Sequence, residues 1–160
     1  MGNNMKTNEE GLNLIKHFES LRLEAYKDSV GVWTIGWGHT GLSHQDGTVC
    51  SGRVITEDKA NELLKLDLKW SEEAVTKHVK VTLNPNQFSA LVSFTFNLGE
   101  TNFRKSTLLK KLNLGDYFST SMEFEKWCNA GGKRLKGLYR RRLSERNLFC
   151  SFPNPIVPLV

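Results

Sequence analysis

The sequence predicts an α+β fold with a small N-terminal lobe that contains β-structure and a larger C-terminal helical lobe, the two joined by a long helix. Three observations carry that expectation. Short β-formers punctuated by glycine are confined to residues 24–56, helical patterns flank that stretch on both sides, and a run free of glycine and proline follows it. At about twenty residues, this run is long enough to carry the chain from one lobe to the next. The 160 residues fit a single domain, with approximate bounds of 8–56 for the β-containing lobe, 57–80 for the connecting helix, 81–150 for the helical lobe and 151–160 for a tail. A chain of this length buries enough surface to fold without disulfides or metal.

The first helix is expected from Asn8 to about Ser20. Asn8 is a suitable N-cap, Glu9 and Glu10 suit the positive end of the helix dipole, and Leu12, Ile15 and Phe18 follow helical spacing. Glu19 then falls at its C-terminal end. From Glu24 to Thr56, Gly31, Gly36, Gly38, Gly41, Gly47 and Gly52 interrupt β-formers such as Val32, Trp33, Thr34 and Ile35, the pattern of a small sheet with tight turns. Thr56 caps the long helix, which runs to about His78. Asn84-Pro85 opens another, with Phe88, Leu91, Val92 and Phe96 on one face and Gly99 as its stop. Further helices are expected from Ser106 to Gly115, from Phe118 to Cys128 and from Gly137 to Phe149. The tail from Pro153 to Pro158 is too rich in proline to continue the last of them.

Composition narrows the function classes. Hydrophobic residues at 39% and charged residues at 24% describe a soluble globule. The net charge of +5 is local: Lys133, Arg134, Lys136, Arg140, Arg141, Arg142 and Arg146 face Glu145 alone within one segment. Two readings of this cluster stay open, attraction to an anionic polymer and a solvated helix face whose arginines pair with nearby acids. Cys50, Cys128 and Cys150 form no ligand-like spacing with the four histidines, so zinc is not expected. Lys6, Glu9, Glu10, Lys16 and Glu19 leave no apolar run for a signal peptide, and no run approaches a membrane span, so cytoplasmic synthesis without stable membrane insertion is expected.

The chemistry-bearing segment is Glu19 to His39. A carboxylate at a helix end, a second at a turn nine residues on and a hydroxyl six residues later on a strand can converge on one bond. Glycoside hydrolysis needs such a set, a proton donor for the leaving oxygen and a negative charge or activated water beside the sugar. Glu19, between Phe18 and the nearby Leu21, suits the desolvated acid, while Asp28 in a polar turn suits the ionised partner. Thr34 is the candidate to hold the attacking water. On spacing alone, an exposed helix-end glutamate and an aspartate satisfying its own turn explain the same residues.

Resemblance separates these readings. Leu21-Arg22-Leu23, Tyr26-Lys27-Asp28, Gly31 and Thr34-Ile35-Gly36-Trp37-Gly38-His39 after Glu19 closely resemble the signature of the phage-type lysozymes (endolysins), related to those of T-even and lambdoid phages. The likeness continues through Asn86-Gln87-Phe88, Ala90-Leu91-Val92-Ser93-Phe94, Phe96-Asn97-Leu98-Gly99, Gly131-Gly132, Gly137-Leu138 and Arg140-Arg141-Arg142 to Glu145. Ser20 and Trp37 depart from the family pattern, where glycine and a smaller or different apolar residue are common.

This resemblance implies a lysozyme-like fold and hydrolysis of the β-1,4 bond between N-acetylmuramic acid and N-acetylglucosamine in peptidoglycan. Glu19 would be the general acid, Asp28 the carboxylate facing the sugar and Thr34 the water-positioning hydroxyl. Phe96 and Asn97 resemble substrate-binding positions of the second lobe, with a core role equally open for Phe96. His39 looks structural, tying the sheet to a neighbouring element. Trp33, Trp37, Trp70 and Trp127 are expected in the core more than on sugar rings. One of Arg140 to Arg142 is expected to pair internally, the others to meet stem-peptide carboxylates or wall phosphates. The resemblance further implies a monomer that needs no cofactor, no metal and no nucleic acid. It would be held in the host cytoplasm until a separate holin opens the way to the periplasm and wall, and would then release phage progeny. A lytic transglycosylase needs the acid but not Asp28 and Thr34, so their presence favours hydrolysis. A non-catalytic module binding wall polymer or nucleic acid would rest on the basic segment alone.

Overall fold

A computed structural model describes residues 4–41 and 49–153. Along the chain lie α1 (Glu9–Glu19), β1 (Arg22–Lys27), β2 (Trp33–Gly36), α2 (Glu57–His78), α3 (Pro85–Leu98), α4 (Glu100–Lys105), α5 (Thr107–Asn113), α6 (Tyr117–Ser121), a 3₁₀ turn (Phe124–Lys126), β3 (Asn129–Ala130), β4 (Lys133–Arg134) and α7 (Lys136–Cys150). The elements divide into two compact units, one formed by residues 15–70 and the other by residues up to 14 and from 71 onward.

The unit of residues 15–70 is built on an antiparallel hairpin. β1 pairs with β2 through Tyr26 with Thr34 and Lys27 with Trp33, and the register shifts before Arg22 meets Gly36. Backbone bonds from Ala25 N to Arg53 O and from Ile55 N to Leu23 O lay the chain around Val54 along the other edge of β1. A second bridge, Ile35 with His39, folds the chain back on itself immediately after β2. Ile35, Val49 and Leu63 form the buried centre, with Ala25, Trp33, Ile55 and Leu66 packed around them. The start of α2 is capped as expected, Lys59 N donating to Thr56 Oγ1 at 3.1 Å. The expected turn at Gly47 lies outside the described residues.

The other unit is helical and wraps α3, which is buried without interruption from Phe88 to Thr95. A helix apolar on all sides belongs at the centre of a bundle. Its N-terminus carries the expected signal as a full capping box, Asn84 Oδ1 accepting from Gln87 N while Gln87 Oε1 accepts from Asn84 N. Phe94 meets Phe103, Phe124 and Trp127 edge-on, with ring centroids 5.5–6.4 Å apart. The beginning of α1 is fastened to α3: Asn8 N donates to Ser89 Oγ, and Asn8 Nδ2 to Asn86 Oδ1. Asn8 also caps α1 by accepting from Gly11 N. Contact at this crossing is so close that a Cβ on Gly11 would stand 2.5 Å from Ser89 Cβ.

Gly99 ends α3 as expected, its N–H donating to Thr95 O, and α4 begins at the next residue. Two helix expectations are corrected. The helix expected from Ser106 to Gly115 covers only Thr107–Asn113. The single helix expected from Phe118 to Cys128 is α6 followed by a 3₁₀ turn, with Thr120 and Ser121 hydroxyls bonded back to the carbonyls of Asp116 and Phe118. Such local bonds compete with helix continuation. A short hairpin, β3 with β4, precedes α7 and turns through Gly131 and Gly132, both at positive φ. Of the tail, residues 154–160 lie outside the described residues.

Candidate active site

Glu19 is the last residue of α1, half-buried, and Ser20 leaves the helix in the left-handed region at φ 49°. That backbone conformation favours glycine, which gives a physical reason for the residue the family pattern carries at this position. The Glu19 carboxyl lies against the turn after β2: a Cβ built on Gly38, whose φ is 92°, would be 3.6 Å from Glu19 Oε2. The reciprocal bonds between Ile35 and His39, 2.8 and 2.9 Å, hold that turn in place. His39 is buried, with Nδ1 3.0 Å from both carboxylate oxygens of Asp67 on α2. As expected, it ties the β-structure to its neighbouring helix.

Asp28 and Thr34 share one anchor, Val32. Asp28 and Val32 close the hairpin turn by a backbone bond from Asp28 N to Val32 O at 2.9 Å. Asp28 Oδ1 then accepts from Val30 N at 3.0 Å and Val32 N at 2.9 Å. The aspartate therefore does satisfy its own turn, but with one oxygen, and the side chain remains half-buried. Thr34 is 4% exposed and donates its hydroxyl hydrogen to Val32 O at 3.1 Å. A hydroxyl that has spent its hydrogen can only accept from a further partner. The arrangement supplies a carboxyl at a helix end, a carboxylate with a second oxygen not used by its turn, and an oriented acceptor. Among the described residues no group of three His, Cys, Asp or Glu side chains could hold a metal ion.

The known proteins bear on this geometry directly. The family model for phage lysozyme matches residues 16–145, a span that contains all three of these side chains. The chain belongs to the phage lysozyme family. An endolysin of Acyrthosiphon pisum secondary endosymbiont phage 1 is 45% identical over 149 residues, which cover 91% of this chain and 98% of that one. An endolysin of Salmonella phage P22 is 46% identical over 148 residues, 92% and 99% of the two chains. A SAR-endolysin of Enterobacteria phage P21 is 39% identical over 123 residues, 77% and 72% of the two. Among solved structures, a variant of P22 lysozyme superimposes with a TM-score of 0.85 at 44% identity, covering 92% of this chain and 99% of that one. The muramidase domain of SpmX from Asticaccaulis excentricus reaches 0.81 at 38% identity with the same coverage. The fold is the α+β lysozyme fold, and as a phage lysozyme the chain is a glycoside hydrolase of peptidoglycan.

The remaining residues singled out in the sequence sort differently. Phe96 and Asn97 sit on α3, Phe96 half-buried and Asn97 exposed. Trp33 packs on the Ile35, Val49 and Leu63 centre and Trp127 on Phe94, as expected of core residues, although both are half-buried; Trp37 is also half-buried, and Trp70 is exposed, contrary to expectation. Trp37 sends Nε1 to Asn61 Oδ1 at 3.1 Å and lies under Lys16 Nζ, so its polar edge keeps it out of a dry core. The basic segment is also corrected. Arg141 and Arg142, rather than one arginine, are buried on Glu145; Arg146 pairs with Glu125, and Arg134 stacks on Tyr139. All three cysteines are free thiols, Cys128 buried and the others exposed.

The sequence missed Glu145 as an organising residue. It is wholly buried, with Oε1 accepting from Ser93 Oγ at 2.7 Å, Arg141 Nε at 3.3 Å and Arg142 Nη2 at 3.0 Å. Burial pushes the Glu145 carboxyl upward, against the pull of both arginines, and pushes the Arg142 guanidinium down against the pull of Glu145. The signal in the sequence was a lone acid three and four residues from two arginines on one helix.

Proposed function

We propose that the chain cleaves the β-1,4 bond between N-acetylmuramic acid and N-acetylglucosamine with Glu19 as general acid, Asp28 as the facing carboxylate and Thr34 as the holder of the attacking water. The observation that carries this reading is the shared anchoring of Asp28 and Thr34 on Val32, in the same unit as the Glu19 carboxyl against Gly38. Glu19 delivers its proton to the glycosidic oxygen as the bond to C1 breaks. The second Asp28 oxygen stabilises the positive charge that develops on the sugar. Because the Thr34 hydrogen is committed to Val32 O, a water donates to Thr34 Oγ1, which turns a lone pair of that water toward C1. As the water oxygen bonds to C1 it gives one proton to the Asp28 carboxylate and becomes the new anomeric hydroxyl, and exchange with solvent returns a proton to Glu19.

Phe96 and Asn97 would contact the glycan from α3. A separate holin would release the enzyme from the host cytoplasm to the periplasm and wall, where it opens the cell for phage progeny. Among the described residues no helix is long and apolar enough to cross a membrane. The holin route predicts that host cells making this chain alone lyse only after their inner membrane is permeabilised.

The direct test is Glu19→Gln. Release of new reducing ends from purified peptidoglycan should fall by about a thousandfold, since the amide cannot deliver a proton, while thermal unfolding stays at the wild-type temperature. Retention of half the activity would overturn the assignment.

A further inference from the structure

The residues from Gly36 to His39, which form the turn after β2, each meet a helix of their own unit. A Cβ on Gly36 would stand 3.2 Å from Ala60 Cβ on α2, one on Gly38 would stand 3.6 Å from Glu19 Oε2 on α1, and His39 Nδ1 lies 3.0 Å from Asp67 on α2. Trp37 meets both helices. Its Nε1 donates to Asn61 Oδ1 on α2 at 3.1 Å, and Lys16 Nζ of α1 stands 5.6 Å from its ring centroid. Both contacts carry direction, because an indole N–H donates along one line and an ammonium is drawn to the face of the ring. Lys16 precedes Glu19 by three residues, so the two are neighbours on one face of α1. Glu19 is the last residue of that helix, and the turn that places its carboxyl is the turn that Lys16 fastens. The smaller or different apolar residue common at position 37 in the family pattern offers neither the N–H nor the indole face, so this clamp belongs to the present chain.

We propose that Trp37 is a positioning residue for the general acid: held by Asn61 on one side and Lys16 on the other, it fixes the last turn of α1 against the turn after β2 and keeps the Glu19 carboxyl at Gly38. The inference rests on the role given to Glu19 above and names the residue that aims it. Proton delivery needs the carboxyl within hydrogen-bond reach of the glycosidic oxygen while the bond to C1 breaks, and a shift of about 1 Å is enough to lose that geometry. Placing the acid before substrate arrives lowers the barrier of the chemical step without adding a contact to the glycan. Trp37 therefore acts on kcat and not on KM.

The test reads steady-state kinetics on purified peptidoglycan in the wild-type and Glu19→Gln backgrounds. Trp37→Leu keeps an apolar side chain and removes both attachments. It should lower kcat about tenfold and leave KM within about twofold. In the Glu19→Gln background there is no proton to aim, and the same substitution should lower the residual rate, followed by mass spectrometry of the released ends, by less than about twofold. A Trp37 that only supports the fold would lower the unfolding temperature and cost the same factor in both backgrounds, which would overturn the proposal. A raised KM with unchanged kcat would make Trp37 a glycan contact and overturn it as well. Lys16→Met keeps the aliphatic stem and removes the cation, and should lower kcat about 2- to 5-fold, the strength of one cation–π contact. Lys16→Arg, whose guanidinium also stacks on an aromatic face, should keep kcat within about twofold of wild type. Lys16→Met with wild-type kcat overturns the proposal even if Trp37→Leu fails to fold. If Glu19→Gln alone keeps half the activity, the role given to Glu19 fails instead.

Discussion

Asp28 and Glu145 are both acidic side chains held by hydrogen bonds, yet the molecule puts them to opposite uses. Asp28 sits on a hairpin, half-buried, and gives one oxygen to two backbone N–H groups. Glu145 is wholly buried on α7 and gives Oε1 to Ser93, Arg141 and Arg142, while Oε2 lies 2.8 Å from Arg142 Nε. Backbone donors hold the Asp28 carboxylate without a counter-charge and leave one oxygen unused by its turn. Buried arginines instead neutralise the Glu145 carboxylate, Oε1 taking the three hydrogen bonds while Oε2 meets Arg142 Nε as an ion pair without one, and the result is a fixed helix–helix seam.

The largest expected break in this contrast is Glu145→Ala. It should cost about 3–5 kcal/mol of folding stability by leaving buried guanidinium charge without its carboxylate, read by urea unfolding. The protein that remains folded should keep its kcat. Asp28→Asn should reverse that pattern, because the amide still accepts from Val30 and Val32 and the turn survives. Stability should stay within about 0.5 kcal/mol, while kcat falls about a hundredfold for want of the charge. Thr34→Val, which removes the acceptor for the water, should cost about tenfold in kcat.

Glu123 sharpens the comparison through pH. Burial raises its carboxyl, but hydrogen bonds from Lys111 and Lys126 outweigh that and hold it below the ordinary range. A lowered folded-state value means stability present above the unfolded value and lost as pH falls through the folded one. Melting temperature measured downward from neutral pH should therefore drop in the acid range, and Glu123→Gln should flatten that part of the profile while costing about 1–2 kcal/mol at neutral pH. The smallest effect belongs to Ser20→Gly, which relieves a left-handed serine and should add about 0.5–1 kcal/mol without changing kcat.

What was legible in the sequence is what local chemistry writes there. Asn8, Thr56 and the Asn84/Gln87 box mark their helix starts because a cap bonds backbone only three residues away. The Asp28 turn was legible for the same reason. Glu19, Asp28 and Thr34 fall within sixteen residues whose order is the family signature, and the structure places them in one unit. The seam was legible only in part: the spacing of Glu145 from Arg141 and Arg142 marks their pairing, but Ser93 and Glu145 meet across 52 residues of sequence and nothing local announces the burial. The α6 break had a weak local mark in the Thr120 and Ser121 hydroxyls that bond back to the chain, but the packing of Phe124 into the aromatic cluster around Phe94 is a tertiary contact that sequence does not show. The β3–β4 hairpin did carry a signal, Gly131-Gly132, whose two positive φ values suit a tight turn.

The most direct measurement is the fate of solvent oxygen. Purified peptidoglycan digested by the wild-type chain in heavy-oxygen water should yield muramic reducing ends each carrying one solvent oxygen by mass spectrometry. Unlabelled 1,6-anhydro ends would show that the sugar's own hydroxyl attacks, and the roles given to Asp28 and Thr34 would be wrong.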